Sequence, residues 1–301
     1  MNKLPLAKRV QILSMLVEGS SMRSISRVAD VSINTVSKTL IDAGRACIAF
    51  HDKNVRGVKA KRVQVDEIWS FTYAKQKNVA RAKRRDLAYG DTWTWTAIEA
   101  DSKLLISWLV GARDSEYALA FIDDLRQRVT NRVQLTSDGQ KPYLEAVEEA
   151  FGGDVDYAVL QKLYGTPPEA QTRYSPAQCI GIKRQDITGN PDSKHVSTSY
   201  VERQNLTMRM QMRSFPRLTN ASSKKFENHV HMVALYTVWY NFVRVHKTLR
   251  MTPAMAAGIS DTLHGMEWIA SLIDATAPEP GPHGPYKKHV AVYALPKNVE
   301  R

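Results

Sequence analysis

The order of hydrophobic periodicities between residues 63 and 164 is the feature that most limits the folds open to this chain. Three segments with strand-like composition are followed by a helical segment, a short strand, a second helix and a further strand. In order, they are RVQVDEIWSF, TWTWTAIEA, KLLISWLVGAR, SEYALAFIDDLRQRV, RVQLTSDG, KPYLEAVEEAF and DYAVLQKLY. This β-β-β-α-β-α-β order predicts an α/β protein with a mixed sheet and helices on both faces.

Acidic residues occupy two of these strands at positions that the topology would bring together. The order is that of a ribonuclease-H-like sheet, in which the first strand is central and the fourth lies beside it. Asp66 lies within the first strand and Asp138 at the end of the fourth, and Glu202 on a later helix could complete a trio. Glu67 is the rival of Asp66. Because adjacent strand residues face opposite sides, only one of the two is expected to join.

A trio of carboxylates has a specific chemical implication. Three negative charges around one point repel each other unless cations lie among them. Mg²⁺, or Mn²⁺ in its place, takes a few carboxylate oxygens and keeps water and phosphate oxygens as its other ligands. Two such ions can activate an attacking oxygen and stabilise a leaving one in an in-line phosphoryl displacement. The sequence therefore predicts a divalent-metal site with two ions, held by Asp66, Asp138 and Glu202.

The charge of the chain indicates a polyanionic partner. The net charge is +12 and the isoelectric point is about 9.6, which favours nucleic acid. Glu202 lies in the predicted helix TSYVERQNLTMRMQMR, which also carries Arg203, Arg209 and Arg213. Arg209 follows Glu202 by about two helical turns and would share its face. Between residues 203 and 250 there are nine Lys or Arg residues, and we interpret this run as the main phosphate-contacting surface.

The first 50 residues are predicted to form a helical DNA-binding unit. Two helices are followed by a turn at Asp30 and by a third helix with Ser32 as its N-cap. The inner face of that helix is assigned to Ile33, Val36 and Leu40, and the outer face to Asn34, Thr35, Ser37, Lys38 and Thr39. Small polar side chains on an outer face are typical of a helix that enters the DNA major groove. We therefore predict a helix-turn-helix in which Asn34, Thr35 and Lys38 approach DNA.

The remaining segments are assigned from composition. Residues 51–62 are predicted to be a basic linker, residues 63–257 the catalytic domain, and residues 258–301 a C-terminal tail that is weakly ordered from Thr276. Residues 165–194 are too long for an ordinary loop and are predicted to be an irregular insertion. Cys47 and Cys179 are too far apart to form a metal knuckle and are predicted to be buried thiols. We expect a cytoplasmic protein associated with the nucleoid.

Four motifs together resemble those of a known enzyme family. VDEIWSF, LTSDGQKPY, TSYVERQNLTMRMQMR and YNFVRVHKTLRMTPAMA look like the DDE transposases of insertion sequences, closest to the insertion-sequence-one family. The resemblance covers nearly all of residues 63–257. It implies that Asp66, Asp138 and Glu202 are the catalytic triad, which selects Asp66 over Glu67. It also implies that Arg209 is the basic residue that often follows the Glu, and that His246 and Lys247 lie near the active site or DNA.

The resemblance implies an enzyme that cleaves and joins DNA at the inverted-repeat ends of its own element. It uses divalent metal and is expected to act as a homo-oligomer on DNA. The chain departs from the family in two respects. It lacks the cysteine-rich zinc finger that members often carry, so end recognition must depend on the helix-turn-helix. Asp138 and Glu202 are also 64 residues apart, beyond the spacing of compact members. The alternatives are a DNA-binding regulator with a decayed catalytic domain and a ribonuclease-H-type nuclease.

Overall fold

The computed structural model describes residues 4–83, 86, 88–165, 179–215 and 222–276. The helices and strands alternate in the order predicted from the sequence, with one further strand before the sixth helix. They are α1 Leu6–Val17, α2 Met22–Ala29, α3 Ile33–Asn54, β1 Arg62–Thr72, β2 Gly90–Glu99, β3 Leu105–Gly111, α4 Ser115–Arg128, β4 Val133–Ser137, α5 Lys141–Phe151, β5 Val155–Tyr164, β6 Cys179–Thr188, α6 Ser199–Gln211, α7 Phe226–Phe242, α8 Pro253–Ala256 and α9 Met266–Thr276.

The strands form one mixed sheet with the order β3-β2-β1-β4-β5-β6. Strand β2 is antiparallel to both β1 and β3, whereas β4 runs parallel to β1 and β5 runs parallel to β4. Strand β1 therefore lies inside the sheet and β4 lies beside it. This is the predicted ribonuclease-H-like α/β arrangement, and it is confirmed.

Helices cover both faces of this sheet. On one face the indole of Trp95 in β2 packs against Phe121 of α4 and Tyr143 of α5, with ring centroids 5.9 and 5.5 Å apart. On the other face α6 contacts β1 and β2, and α7 contacts β3. Alternate residues of β1 therefore point toward different helix layers, which decides the surroundings of each acidic side chain.

Strand β6 differs from the sequence prediction. Residues 165–194 were predicted to be irregular, but Cys179–Thr188 pairs antiparallel with β5. Its side chains are exposed at most positions on both faces, so the sequence has no alternation of buried and exposed residues that would identify a strand. Residues 166–178 of the predicted insertion lie outside the described residues. Cys179 is exposed and Cys47 is buried, so the prediction of two buried thiols is wrong for Cys179.

The first three helices lie where the sequence predicted them. The Ser32 hydroxyl caps α3 by accepting a hydrogen bond from the backbone N–H of Thr35 at 3.1 Å. The predicted faces of α3 need two corrections. Ile33 was assigned to the inner face but is 45% exposed, and Thr39 was assigned to the outer face but is buried, with its hydroxyl donating to the Thr35 carbonyl oxygen. Val36 and Leu40 are buried as expected, so the buried face is rotated slightly from the predicted one.

Helix α3 continues into the segment that was predicted to be a linker. It ends at Asn54, packs against α7 and α9, and leaves seven residues, 55–61, before β1 begins at Arg62. Gly44 allows the close approach of α3 to α7, because a Cβ atom at this position would lie 2.3 Å from the Cβ of His231. The predicted tail also contains packed structure, since Arg9 of α1 forms an ion pair with Asp274 of α9 at 2.6 Å. Residues 277–301 of that tail lie outside the described residues.

None of the helices in the described ranges is both long enough and apolar enough to cross a membrane.

Candidate active site and nucleic-acid interface

The pairing of β1 with β4 places Asp66 beside Asp138. Gln64 pairs with Thr136 in the parallel ladder, and the same register carried two residues further aligns Asp66 with Asp138, just beyond the end of β4. Both residues line an open cleft of about 410 Å³, and Glu202 of α6 lines it too. The three predicted acidic residues thus line one cleft, but Glu202 is not in the cluster of carboxylates within 4.8 Å of one another, which consists of Asp66, Glu67 and Asp138.

Asp66 is held by neighbours from β2 and α6. Its Oδ2 accepts a hydrogen bond from Nδ2 of Asn205 at 2.8 Å, and its carbonyl oxygen accepts one from the Thr96 hydroxyl at 3.3 Å. Burial, followed by the negative charges of Glu67 and Asp138, raises the pKa of Asp66 to about 7. Each of these effects penalises the charged carboxylate, so Asp66 is a position at which a cation would be strongly favoured.

Asp138 follows the last residue of β4 and begins the turn into α5. Its Oδ1 accepts a hydrogen bond from the backbone N–H of Gln140 at 3.2 Å. Burial raises the pKa of Asp138, and this exceeds the opposing effects of the Gln140 hydrogen bond and of the Arg113 guanidinium. Asp138 is therefore a second carboxyl group whose charge the protein alone does not fully compensate.

Glu67 requires a correction to the sequence-based argument. It was expected to face away from the trio, yet Asp66, Glu67 and Asp138 each offer a carboxylate oxygen within 4.8 Å of the other two. The two β1 residues do point to opposite faces, but Asp138 lies beyond the end of β4 and is not confined to either face. The buried Glu67 also forms an ion pair with Arg113 at 3.2 Å. Burial and then the charge of Asp138 raise its pKa.

Hydrogen bonds at the N-terminus of α6 position Glu202. The side-chain Oε1 of Gln64 in β1 accepts hydrogen bonds from the backbone N–H groups of Tyr200 and Val201, at 2.8 and 3.1 Å. Gln64 lies two residues before Asp66 and thus faces the same side of the sheet. This contact fixes the first turn of α6 above β1. Within that turn Glu202 accepts a hydrogen bond from the Thr198 hydroxyl at 2.6 Å.

Lys162 of β5 also contacts the Glu202 carboxylate. Nζ of Lys162 donates to both carboxylate oxygens of Glu202, and the two side chains are 29% and 41% exposed. Lys162 also lines the cleft that contains Asp66 and Asp138. The cleft therefore combines acidic side chains on one wall with an ion-paired cation on the other.

The donor set fits a hard divalent cation. Every candidate ligand atom of the cluster is a carboxylate oxygen, which is the donor that Mg²⁺ and Mn²⁺ accept in proteins. The raised pKa values of Asp66, Glu67 and Asp138 show negative charge that is poorly compensated by the protein. A bound cation would relieve this repulsion. Asp66 and Asp138 are the most suitable ligands, because Glu67 already has Arg113 as its partner.

The residues predicted to contact DNA lie at two places in the fold. Asn34 and Lys38 are exposed in the first turns of α3, and Thr35 is half-buried. The Lys38 ammonium group forms an ion pair with Asp42 at 2.6 Å. The Thr35 hydroxyl lies 2.9 Å from that of Ser32. The exposed side chains of this turn could enter a DNA groove. The hydrogen bond from the Thr35 N–H to the Ser32 hydroxyl holds the backbone of the turn.

The second group lies on α6, just beyond its end, and in the turn after α7. Arg203 and Arg213 are exposed, and Arg209 is half-buried on α6. His246 and Lys247 lie in the turn after α7, where the imidazole Nδ1 of His246 is 3.0 Å from the Thr248 hydroxyl. Burial, followed by the charges of Lys103 and Arg244, lowers the pKa of His246. The contact between His246 and Thr248 supports the turn that also contains Lys247.

Several residues that support the acidic side chains were not identified from the sequence. Arg113, Lys162 and Asn205 contact Glu67, Glu202 and Asp66, respectively. Gln64 holds the first turn of α6 by accepting hydrogen bonds from two backbone N–H groups. Asn205 follows Glu202 by three residues, a helical spacing that could have revealed it. Gln64 precedes Asp66 by two residues, as strand neighbours on one face do. Arg113 and Lys162 gave no local signal, because their partners are set by the folded sheet.

Two solved transposase structures show low similarity to this chain. No family model and no curated protein matches the chain. A chain of the pre-cleavage Mos1 transpososome matches 52% of this chain at 11% identity, with a TM-score of 0.21, and this chain covers 60% of it. A chain of the piggyBac transposase synaptic complex with hairpin DNA matches 72% at 10% identity, with a TM-score of 0.27, and is covered to 52%. This chain thus spans less than two thirds of either structure, and similarity at this level says nothing about activity or substrate.

Proposed function

We propose that the protein is a transposase that cleaves DNA at the inverted-repeat ends of an insertion sequence and joins these ends to target DNA. The observation that supports this most directly is the meeting of Asp66, Asp138 and Glu202 in one open cleft of a ribonuclease-H-like sheet. Three of the four sequence motifs that resemble insertion-sequence transposases each contain one of these residues.

Asp66, Asp138 and Glu202 would hold the divalent cations, Mg²⁺ or Mn²⁺. When bound, such ions activate water and neutralise charge on the reacting phosphate. The chain's own contribution is to present the carboxylates in a fixed arrangement. Asn205 orients Asp66, and Thr198 orients Glu202.

Binding of the DNA would use the basic surface around the cleft and the N-terminal helices. Arg203, Arg209, Arg213 and Lys247 are proposed to contact phosphates, with His246 supporting the adjacent turn. Asn34 and Thr35 of α3 are proposed to read base edges, with Lys38 on a nearby phosphate. The net charge of +12 provides the long-range attraction that such binding needs. Action on two element ends at once would require a homo-oligomer.

The test is cleavage of a duplex that carries the inverted repeats flanking the coding sequence. In Asp138→Asn, we expect Mg²⁺-dependent cleavage to fall by at least about 100-fold, because charge stabilisation by metal amounts to several kcal/mol. Binding to the same duplex should change less than about twofold, since the substitution leaves the basic surfaces intact. Asp66→Asn and Glu202→Gln should behave in the same way.

Asp186→Asn is the matched control, because Asp186 is an exposed carboxylate on β6 outside the cleft. It should leave both cleavage and binding unchanged. Near-normal cleavage by Asp138→Asn would contradict the proposed catalytic role. Specific DNA binding by the wild-type protein without any metal-dependent cleavage would instead support the alternative of a regulator with a decayed catalytic domain.

A further inference from the structure

The Lys162–Glu202 ion pair has a consequence for metal and DNA binding beyond the general function proposed above. The ammonium group contacts both oxygens of the one predicted catalytic carboxylate that lies outside the Asp66–Glu67–Asp138 cluster. Glu202 therefore has no carboxylate oxygen without a hydrogen bond from Nζ of Lys162. A metal ion that coordinates Glu202 must therefore bind an oxygen atom to which Lys162 already donates a hydrogen bond.

The surrounding charges make this competition physically significant. Asp66, Asp138 and Glu202 line the same cleft, and Glu67 belongs to the acidic cluster, so the region needs compensating positive charge. The Lys162 ammonium group supplies such charge through its ion pair with Glu202. A divalent cation entering the cleft would be repelled by it and attracted by the same carboxylate.

The lysine side chain is also suited to change partners. It extends from β5 on a flexible stem that carries a compact charge, and it is partly exposed to the cleft. Once Glu202 binds metal, the ammonium group would lose that carboxylate while remaining at the cleft. A DNA strand that entered the cleft would bring phosphate oxygens, one of which could replace the carboxylate as the partner of Lys162.

We propose that Lys162 is a DNA-binding residue of the cleft that exchanges its partner when metal binds. In the metal-free protein it holds Glu202, and in the metal-loaded protein it contacts a phosphate oxygen of the bound strand. This inference rests on the proposed function for the identity of the substrate. It predicts two opposite effects of removing the lysine charge, one on metal binding and one on DNA binding.

The first experiment measures Mn²⁺ binding to the full chain without DNA, by titration calorimetry or by the electron paramagnetic resonance of free Mn²⁺. Lys162→Met should bind Mn²⁺ about three- to tenfold more tightly than the wild type, because a competing partly exposed cation is removed. Lys183→Met is the matched control. Lys183 is an exposed lysine on the adjacent strand and does not line the cleft, so its substitution should leave Mn²⁺ affinity unchanged.

The second experiment measures binding of duplex DNA at several salt concentrations, with Ca²⁺ as a non-cleaving metal and separately with EDTA. Lys162→Met should weaken binding in Ca²⁺ and reduce the salt slope by about one phosphate contact. In EDTA the variant should bind as the wild type does, because Lys162 is then held by Glu202. Lys162→Arg should restore binding in Ca²⁺.

Unchanged Mn²⁺ affinity in Lys162→Met would overturn the proposed competition. Equal weakening in Ca²⁺ and EDTA would overturn the exchange of partners, since the lysine would then contact DNA in both states. Neither measurement depends on strand cleavage. A protein that shows both effects but cuts no DNA would contradict the proposed enzymatic function while leaving the exchange of partners intact.

Discussion

At the scale of single residues, the pKa of Asp66 reflects its burial and the negative charges that surround it in the cleft. Its pKa is raised from 3.8 to about 7, first by burial and then by Glu67 and Asp138. The folded metal-free protein thus binds this proton more tightly than the unfolded chain does. The contribution of the proton to stability is complete below about pH 4, declines as the pH rises to about 7, and is lost above that pH.

We expect Asp66→Asn to stabilise the metal-free protein relative to the wild type as the pH rises. The difference in the free energy of unfolding should grow between about pH 4 and pH 7 and then level off at about 1–3 kcal/mol. Asparagine cannot ionise and can still accept the hydrogen bond from Asn205. Urea denaturation in EDTA at a series of pH values measures the effect, with Asp186→Asn as the control. A difference that shrinks with rising pH would show that Asp66 has no raised pKa.

At the scale of secondary-structure elements, the two ends of helix α3 have different surroundings. Its first two turns expose Asn34 and Lys38, while the helix also packs against α7 and α9. The Ser32 cap and the buried Val36 and Leu40 fix the backbone of the exposed turn. A rigid turn with short polar side chains is the arrangement that base readout in a major groove requires.

If α3 reads bases, Asn34→Ala should weaken binding to the specific duplex by about 1–3 kcal/mol and leave binding to random duplexes unchanged. Thr35→Ala should act in the same direction. Lys38→Ala should weaken binding to all sequences alike, because a phosphate contact carries no sequence information. Its effect should be reduced by the ion pair that Lys38 already forms with Asp42. Competition binding measures both quantities, and an unchanged specificity ratio in Asn34→Ala would argue against base readout.

Most helices and strands could be predicted, because a buried face makes apolar residues recur at the spacing of a helix or a strand. Strand β1 and helix α4 alternate apolar and polar residues at the spacing of their own geometry. Strand β6 could not be predicted, because its exposed residues have no such pattern. The faces of α3 were predicted with errors at Ile33 and Thr39, since the exact orientation of a helix depends on the neighbours it packs against.

Part of the candidate site could likewise be predicted from the sequence, and part could not. Asp66 and Asp138 could be predicted to be neighbours, because strand order in this topology is nearly fixed. Glu202 lies on a helix, which strand order does not position, and it lines the same cleft outside the cluster of Asp66, Glu67 and Asp138. The inclusion of Glu67 could not be predicted, because it depends on β4 ending one residue before Asp138. Lys162 reaches Glu202 across 40 positions of sequence, and only the three-dimensional arrangement of β5 and α6 produces that contact.

At the scale of the whole molecule, the N-terminal helices are joined to the rest of the fold by close packing. Gly44 lies against α7, where a Cβ atom would be 2.3 Å from the Cβ and 2.6 Å from the Cα of His231. Replacement of a helical glycine by alanine normally stabilises a protein by up to about 1 kcal/mol. At this position the steric conflict outweighs that gain, because both conflicting atoms belong to the rigid part of α7.

We therefore expect Gly44→Ala to destabilise the protein by about 1–3 kcal/mol. The control is Gly153→Ala, where the added Cβ would meet nothing within 4 Å and should have little effect on stability. Urea denaturation of both variants measures the difference. Equal stability of Gly44→Ala and the wild type would show that α3 and α7 are not in close contact in solution.

The continuity of α3 also bears on how such a protein would measure DNA. The helix has 22 residues and is therefore about 33 Å long. One end carries the exposed polar turn, and the other is packed into the helices that support the sheet. A flexible tether would let the two parts of the protein reach sequences at many separations. If the proposed function is correct, this continuous helix would instead hold the base pairs that α3 contacts and the phosphate that is cut a fixed number of base pairs apart.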